Sequence, residues 1–163
     1  MDIYDRISKR GKKQYAVLID PDKCRFPDYF RMIGQANESG VDFFLLGGSR
    51  IIRNNLDYCI EQINENSDIP VVLFPGDLLQ ISPLANAILL LSLISGRNPE
   101  LLIGKHVVAA PYLRESNLEV LPTGYMLIAN GRVTTVEYMS NTNPIPREKD
   151  DIAMCTAMAG EML

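Results

Sequence analysis

The chain has 163 residues, 47% apolar and 22% charged, which suits one ordinary domain with a sizeable core. Its net charge of −4, with no basic stripe, excludes a broad nucleic-acid footprint. The longest apolar stretch, residues 85–94, is broken by Asn86 and Ser92 and is too short to cross a bilayer.

In chain order, the acidic start Met1–Arg6 lacks the apolar segment of a signal peptide, so a cytoplasmic location is expected. Residues 15–20 read as a strand rich in β-branched and aromatic side chains. Residues 27–39 read as a helix, with Phe30, Ile33 and Ala36 or Asn37 near period 3.6 and Gly40 in the stop position. A strand follows at 41–46, then a helix at 53–65 with Leu56, Ile60 and Ile63 on one side and an N-cap at Asn54-Asn55. Residues 70–74 form a third strand, closed by the turn Pro75-Gly76, and 87–91 a fourth.

Residues 98–110 read as a helix with Asn98 as N-cap and Pro99 in its first turn. Residues 118–121 and 124–129 are extended, and Asn130-Gly131 predicts a hairpin turn into a strand at 133–138. A last helix runs from about residue 149, with Met154, Met158 and Met162 as a core-facing stripe or an exposed apolar face. The alternation predicts an α/β fold with a parallel sheet, a TIM-barrel-like (β/α)8 architecture of which about five βα units are present. One domain over 1–163 is expected, and a partial one, since eight units usually need about 250 residues.

In such folds the chemistry gathers where the strands end. Asp20 and Ser49 close neighbouring strands and offer hard oxygens suited to magnesium, which points to phosphate or diphosphate chemistry. Each also has a plainer reading. Asp20 in Asp20-Pro21-Asp22 serves equally as a turn or cap carboxylate, Asp22 as a cap for the segment that follows, and Ser49 as a helix N-cap. Arg97 and Asn98 either place a cation and a helix start near an anion or form a capped helix with a solvent-facing arginine. His106, the only histidine, touches substrate or sits structurally within a helix. The cysteines Cys24, Cys59 and Cys155 are far apart and suit a reducing compartment. The chain shows no Rossmann glycine fingerprint, Walker loop, HExxH or zinc spacing.

Seven blocks occur in one order: residues 19–23 (IDPDK), 46–49 (LGGS), 74–76 (FPG), 91–99 (LSLISGRNP), 104–106 (GKH), 122–125 (PTGY) and 138–142 (YMSNT). In these the chain resembles geranylgeranylglyceryl phosphate synthase and its bacterial relatives, including heptaprenylglyceryl phosphate synthase, from about residue 8 to residue 163. The resemblance implies a (β/α)8-like barrel. It also implies magnesium-dependent transfer of a geranylgeranyl or similar prenyl group from prenyl diphosphate to the C3 hydroxyl of sn-glycerol 1-phosphate, in ether-lipid synthesis. It makes Asp20 and Ser49 the metal ligands and places Arg97, Asn98, His106 and Tyr125, with the Ser140–Thr142 loop, at substrate. Residues 88–94 would help line the trough for the tail.

A homo-oligomer and no membrane span are expected with it. Leu18 stands where archaeal members carry a lysine, which fits the bacterial-type branch. The family's later segments that serve the glycerol phosphate, a glutamate-containing run and, after the last strands, a Gly-Gly pair and a Gly-Asn pair, are not found in this chain. The catalytic residue is therefore left unassigned. The alternative expectation is a truncated, inactive barrel fragment that self-associates. Another phosphate-binding barrel enzyme would keep the βα rhythm but would not account for the seven blocks.

Overall fold

The computed structural model describes residues 2–8, 11, 13–23, 26–53, 55–78 and 80–163. The sequence readings at Cys24 and Asn54 lie outside these residues, as do the side chains of Phe26 and Pro27. The strands are β1 (Ala16–Ile19), β2 (Phe43–Leu46), β3 (Val71–Leu73), β4 (Ala87–Leu93) and β5 (Glu119–Tyr125). The helices are α1 (Ile3–Ile7), α2 (Phe26–Ser39), α3 (Leu56–Asn66), α4 (Gly104–Glu115), α5 (Thr135–Ser140) and α6 (Asp150–Glu161). The strands form one sheet in the order β1-β2-β3-β4-β5, the sequential order of a (β/α)8-type barrel. The α/β class read from the alternation is the class observed.

Sequential parallel pairing follows from the helical crossovers. The β1–β2, β2–β3 and β3–β4 pairs are all parallel. At the β4–β5 pair, the Glu119 amide donates to the Asn86 carbonyl at 3.3 Å, and the Ile94 amide to the Tyr125 carbonyl at 3.0 Å. Starts pair with starts and ends with ends, so β5 keeps the common direction.

The chain forms two compact units, Met1–Leu89 with Tyr112–Leu121, and Leu90–Pro111 with Pro122–Leu163. In the first unit, register places Ile19, Phe44, Leu46, Val71, Leu73 and Ile88 on one sheet face, and all of them are buried. On the opposite face Val72, Ala87 and Leu121 cluster with Ile3 of α1, and Phe43, Leu45 and Leu89 pack against them. Strands buried on both faces read as continuous apolar runs, which is how β2 and β3 appear in the sequence. Helix α1, which the sequence did not announce, is held from far along the chain. The Glu119 carboxylate accepts from the Ile3 amide at 2.6 Å and the Tyr4 amide at 2.7 Å, two donors that a helix start leaves unpaired.

Helix α2 ends at Gly40, whose φ of +67° provides the left-handed stop. Its buried stripe is Tyr29, Ile33 and Ala36, whereas Phe30, expected on that stripe, is exposed. The Tyr29 hydroxyl donates to the Cys59 carbonyl at 2.8 Å and ties α2 to α3, on which Leu56, Ile60 and Ile63 are buried as their spacing predicts.

In the second unit, Asn98 caps as expected, its Oδ1 accepting from the Glu100 amide at 3.1 Å. The turn it caps is a short 3-10 segment, Pro99–Leu101, and α4 then continues past Pro111 to Glu115. The hairpin expected at Asn130-Gly131 is not formed. Residues 135–140 are helix α5, because Thr134 Oγ1 accepts from the Glu137 amide at 3.3 Å. That Thr-x-x-Glu start outweighs the β propensity of Val133, Thr134 and Val136. Ile128 makes only an isolated parallel bridge to Ile145.

Candidate functional site

Asp20 follows β1 directly, and its side chain is 22% exposed. Its Oδ2 lies 2.8 Å from Lys23 Nζ, and its Oδ1 accepts from the Asp22 amide at 3.1 Å. The hydrogen bond to Asp20, followed by its charge, holds the Lys23 ammonium above its ordinary range. Gly48, just past β2, comes against this carboxylate so closely that a Cβ there would stand 3.2 Å from Asp20 Oδ1. Its neighbour Gly47 has a φ of +156°, and a Cβ on it would meet the Phe74 carbonyl oxygen at 2.1 Å. The two glycines let the end of β2 pass between Asp20 and the end of β3.

Ser49 is exposed at the tip of this passage, and Gly76 of the β3 turn packs against its backbone. The structure thus brings Gly48, the residue before Ser49, against the Asp20 carboxylate. Asp22 has a different task. Its carboxylate accepts from the Ile52 amide at 2.5 Å and the Arg53 amide at 3.0 Å, and these bonds, the Ile52 one foremost, hold it below the usual aspartate range. Asn55 Nδ2 adds a link to the Pro21 carbonyl at 3.4 Å; Asn55 stands at the N-cap of α3 without capping it by its side chain.

Gln80 is a residue the sequence reading missed. It is 2% exposed, and its side chain joins the β2 and β3 loops. Oε1 accepts from the amides of Gly48 at 3.1 Å and Gly76 at 3.2 Å, while Nε2 donates to the Gly48 carbonyl at 2.8 Å. A glutamine within a turn-rich segment gives no spacing signal for such a role.

The donor set suits magnesium of one kind. That ion usually takes one or two carboxylates and completes its shell with substrate phosphates and water. Asp20 and Ser49 could supply a carboxylate and a hydroxyl, while the Asp22 carboxylate is spent on two amides. Among the described residues no group of three or more His, Cys, Asp or Glu forms a metal cage, so the fit is to an ion shared with its substrate.

The other expected site residues belong to the second unit. Arg97 is exposed and lines a groove of about 650 Å³ with Ile94, Leu102, Ile152 and Cys155. Asn98 is occupied at both ends, its Nδ2 donating to the Ser140 carbonyl at 2.9 Å while Oδ1 caps. Ser140 Oγ in turn lies 2.7 Å from Thr142 Oγ1. His106 Nε2 donates to the Leu91 carbonyl at 2.9 Å and so anchors α4 to β4, the structural role open to it from the start. Tyr125 ends β5, and burial pushes its phenol above the ordinary tyrosine value.

Residues 6–163 match the PcrB family. The chain is 58% identical over 159 residues to geranylgeranylglyceryl phosphate synthase of Chitinophaga pinensis, covering 98% of this chain and 63% of that protein. It is 52% identical over 153 residues to the protein of the same name from Spirosoma linguale, covering 94% of this chain and 61% of that one. It therefore spans somewhat under two thirds of these relatives' length. Among solved structures, (S)-3-O-geranylgeranylglyceryl phosphate synthase from Thermoplasma acidophilum, in complex with sn-glycerol-1-phosphate, superposes with a TM-score of 0.91 at 31% identity, over 99% of this chain and 66% of that one. A match along nearly the whole sequence, with the same fold, settles the kinship: the chain belongs to the PcrB family.

Proposed function

We propose that this chain serves a magnesium-dependent prenyltransferase of the geranylgeranylglyceryl phosphate synthase type. The reaction moves a geranylgeranyl or similar polyprenyl group from its diphosphate to the C3 hydroxyl of sn-glycerol 1-phosphate. The observation that carries the reading is the approach of Gly48, the residue before Ser49, to the Asp20 carboxylate, in a chain 58% identical to a relative of that name. Magnesium, when bound, would neutralise the charge that develops on the departing diphosphate.

The chain's own residues prepare for that event. Asp20 and Ser49 would hold the ion. Lys23, 2.8 Å from Asp20, keeps a cation at the same place and, released from that pair, faces an anionic leaving group. The amide bonds to Asp22 fix the loop that carries Ser49 from its far side. In the second unit, Arg97 is the exposed cation for an anionic substrate group, and Ile94 places the end of the 88–94 region on an apolar groove able to take part of a tail. Tyr125 adds a half-buried phenol at the end of β5, and Asn98 and His106 act by holding their segments. No described helix is long and apolar enough to cross a membrane; the proposal adds a cytoplasmic location and a homo-oligomeric assembly.

The test is transfer from geranylgeranyl diphosphate to labelled sn-glycerol 1-phosphate by the purified chain with magnesium, beside Asp20→Asn. Product that requires magnesium and falls at least about a hundredfold in Asp20→Asn is expected, given the usual cost of losing a metal ligand or its support. Equal rates in the two proteins would remove Asp20 from the chemistry. Failure of a folded chain to bind prenyl diphosphate at all would sink the reading.

A further inference from the structure

Loops that carry a site need a rigid support, and buried polar groups away from the chemistry often supply it. The β2 loop is such a case. Its Ser49 and Arg50 are exposed. The loop is nevertheless held on both flanks. Asp22 takes the amides of Ile52 and Arg53 on one side, and Gln80 takes the amide and the carbonyl of Gly48 on the other. Of the two flanks the Gln80 side is the buried one, and Gln80 also grips Gly76 in the neighbouring turn.

We infer that Gln80 is a positioning residue for the diphosphate and its metal, an inference that rests on the function proposed above. It fixes the Gly48-Ser49 backbone against Asp20 before ligand arrives. Its three bonds use both ends of the amide, so no other side chain of similar size reproduces them. Glutamate keeps an acceptor for the two amides but cannot donate to the Gly48 carbonyl, methionine keeps the length and makes none of the bonds, and leucine fills space without any polar atom. Gln80 touches neither metal nor substrate in this account. It acts through the peptide groups that carry Ser49 and through the distance they keep from the Asp20 carboxylate. A loop so fixed loses little entropy on binding, whereas a loose one must be ordered at the expense of affinity.

The probe is magnesium with inorganic diphosphate, titrated calorimetrically into the full chain, its Gln80→Met variant and Asp20→Asn. Wild type is expected to bind and Asp20→Asn to lose binding, while folded Gln80→Met binds about tenfold or more weakly, the range seen when a supporting partner of a metal site is removed. A Gln80→Met protein that melts earlier but binds diphosphate as wild type does would overturn the inference and leave the functional reading standing. Absence of binding by wild type would overturn that reading and the inference with it. Should Gln80→Met not fold, amide hydrogen exchange on wild type without ligand decides. Gly48 and Gly76 amides protected like the β2 and β3 core support a loop set in advance, and exchange at open-loop rates refutes it.

Discussion

At the scale of single residues, most of the proposed diphosphate cradle is backbone and glycine. Replacing Gly47 by alanine forces a Cβ onto the Phe74 carbonyl at a φ of +156°, so Gly47→Ala should cost at least about 2 kcal/mol, read as a lower urea midpoint. An unchanged midpoint would show that the strand ends have slack. Cys59 gives a test in pH. Burial, only partly offset by the Tyr29 hydroxyl, pushes its thiol above the ordinary value, so the folded state keeps the proton longer than the unfolded chain does. Its contribution is therefore full below about pH 8.5, the unfolded thiol value, and is lost as pH rises through the higher folded value. The stability gap between wild type and Cys59→Ala should narrow across that window, and a gap constant from pH 7 to 10 would contradict the assignment. Asp20 and Ser49 could be picked out in the sequence because apolar runs stop at them. Gln80 could not, since its importance depends on two loops 32 and 4 residues away that only the folded sheet brings to it.

At the scale of elements, β3 is readable because burial on both faces leaves a run of nothing but apolar side chains, and β1 and β2 are equally apolar runs although Leu18 of β1 is exposed. The 133–138 segment was misread for a definite reason. Its β-branched residues favour extension, yet one hydroxyl, on Thr134, closes a helical turn that propensity alone would not start. Thr134→Ala should thus cost about 1 kcal/mol, and amide exchange should quicken in residues 135–140 more than elsewhere. Uniform quickening along the chain would mean that α5 is held by packing instead. Helix α4 runs past its expected end at residue 110, through Pro111 to Glu115. The proline is tolerated inside the helix, where it leaves the Val107 carbonyl without its usual i+4 donor.

At the scale of the whole molecule, the apolar stripe expected on the last helix is present but faces outward. Met154, Met158 and Met162 are 60%, 54% and 80% exposed. Light scattering should therefore show association that grows with concentration and is reduced in Met154→Glu with Met158→Glu. A monomer at every concentration would argue against the homo-oligomer proposed here. Residue spacing could place these side chains on one face, but what that face meets depends on neighbours that periodicity does not encode.

The tie between Glu119 and the start of α1 gives the first unit a schedule. The carboxylate that satisfies the Ile3 and Tyr4 amides is made 115 and 116 residues after them. At roughly 5–20 residues per second, a ribosome delivers it some 6–23 s after the segment it completes. Until then Ile3 has no Leu121 to pack against, and five helical residues are too few to hold their shape alone. The first helix in the sequence is thus among the last pieces of its unit to set, an N-terminus that waits for the strand which finishes it.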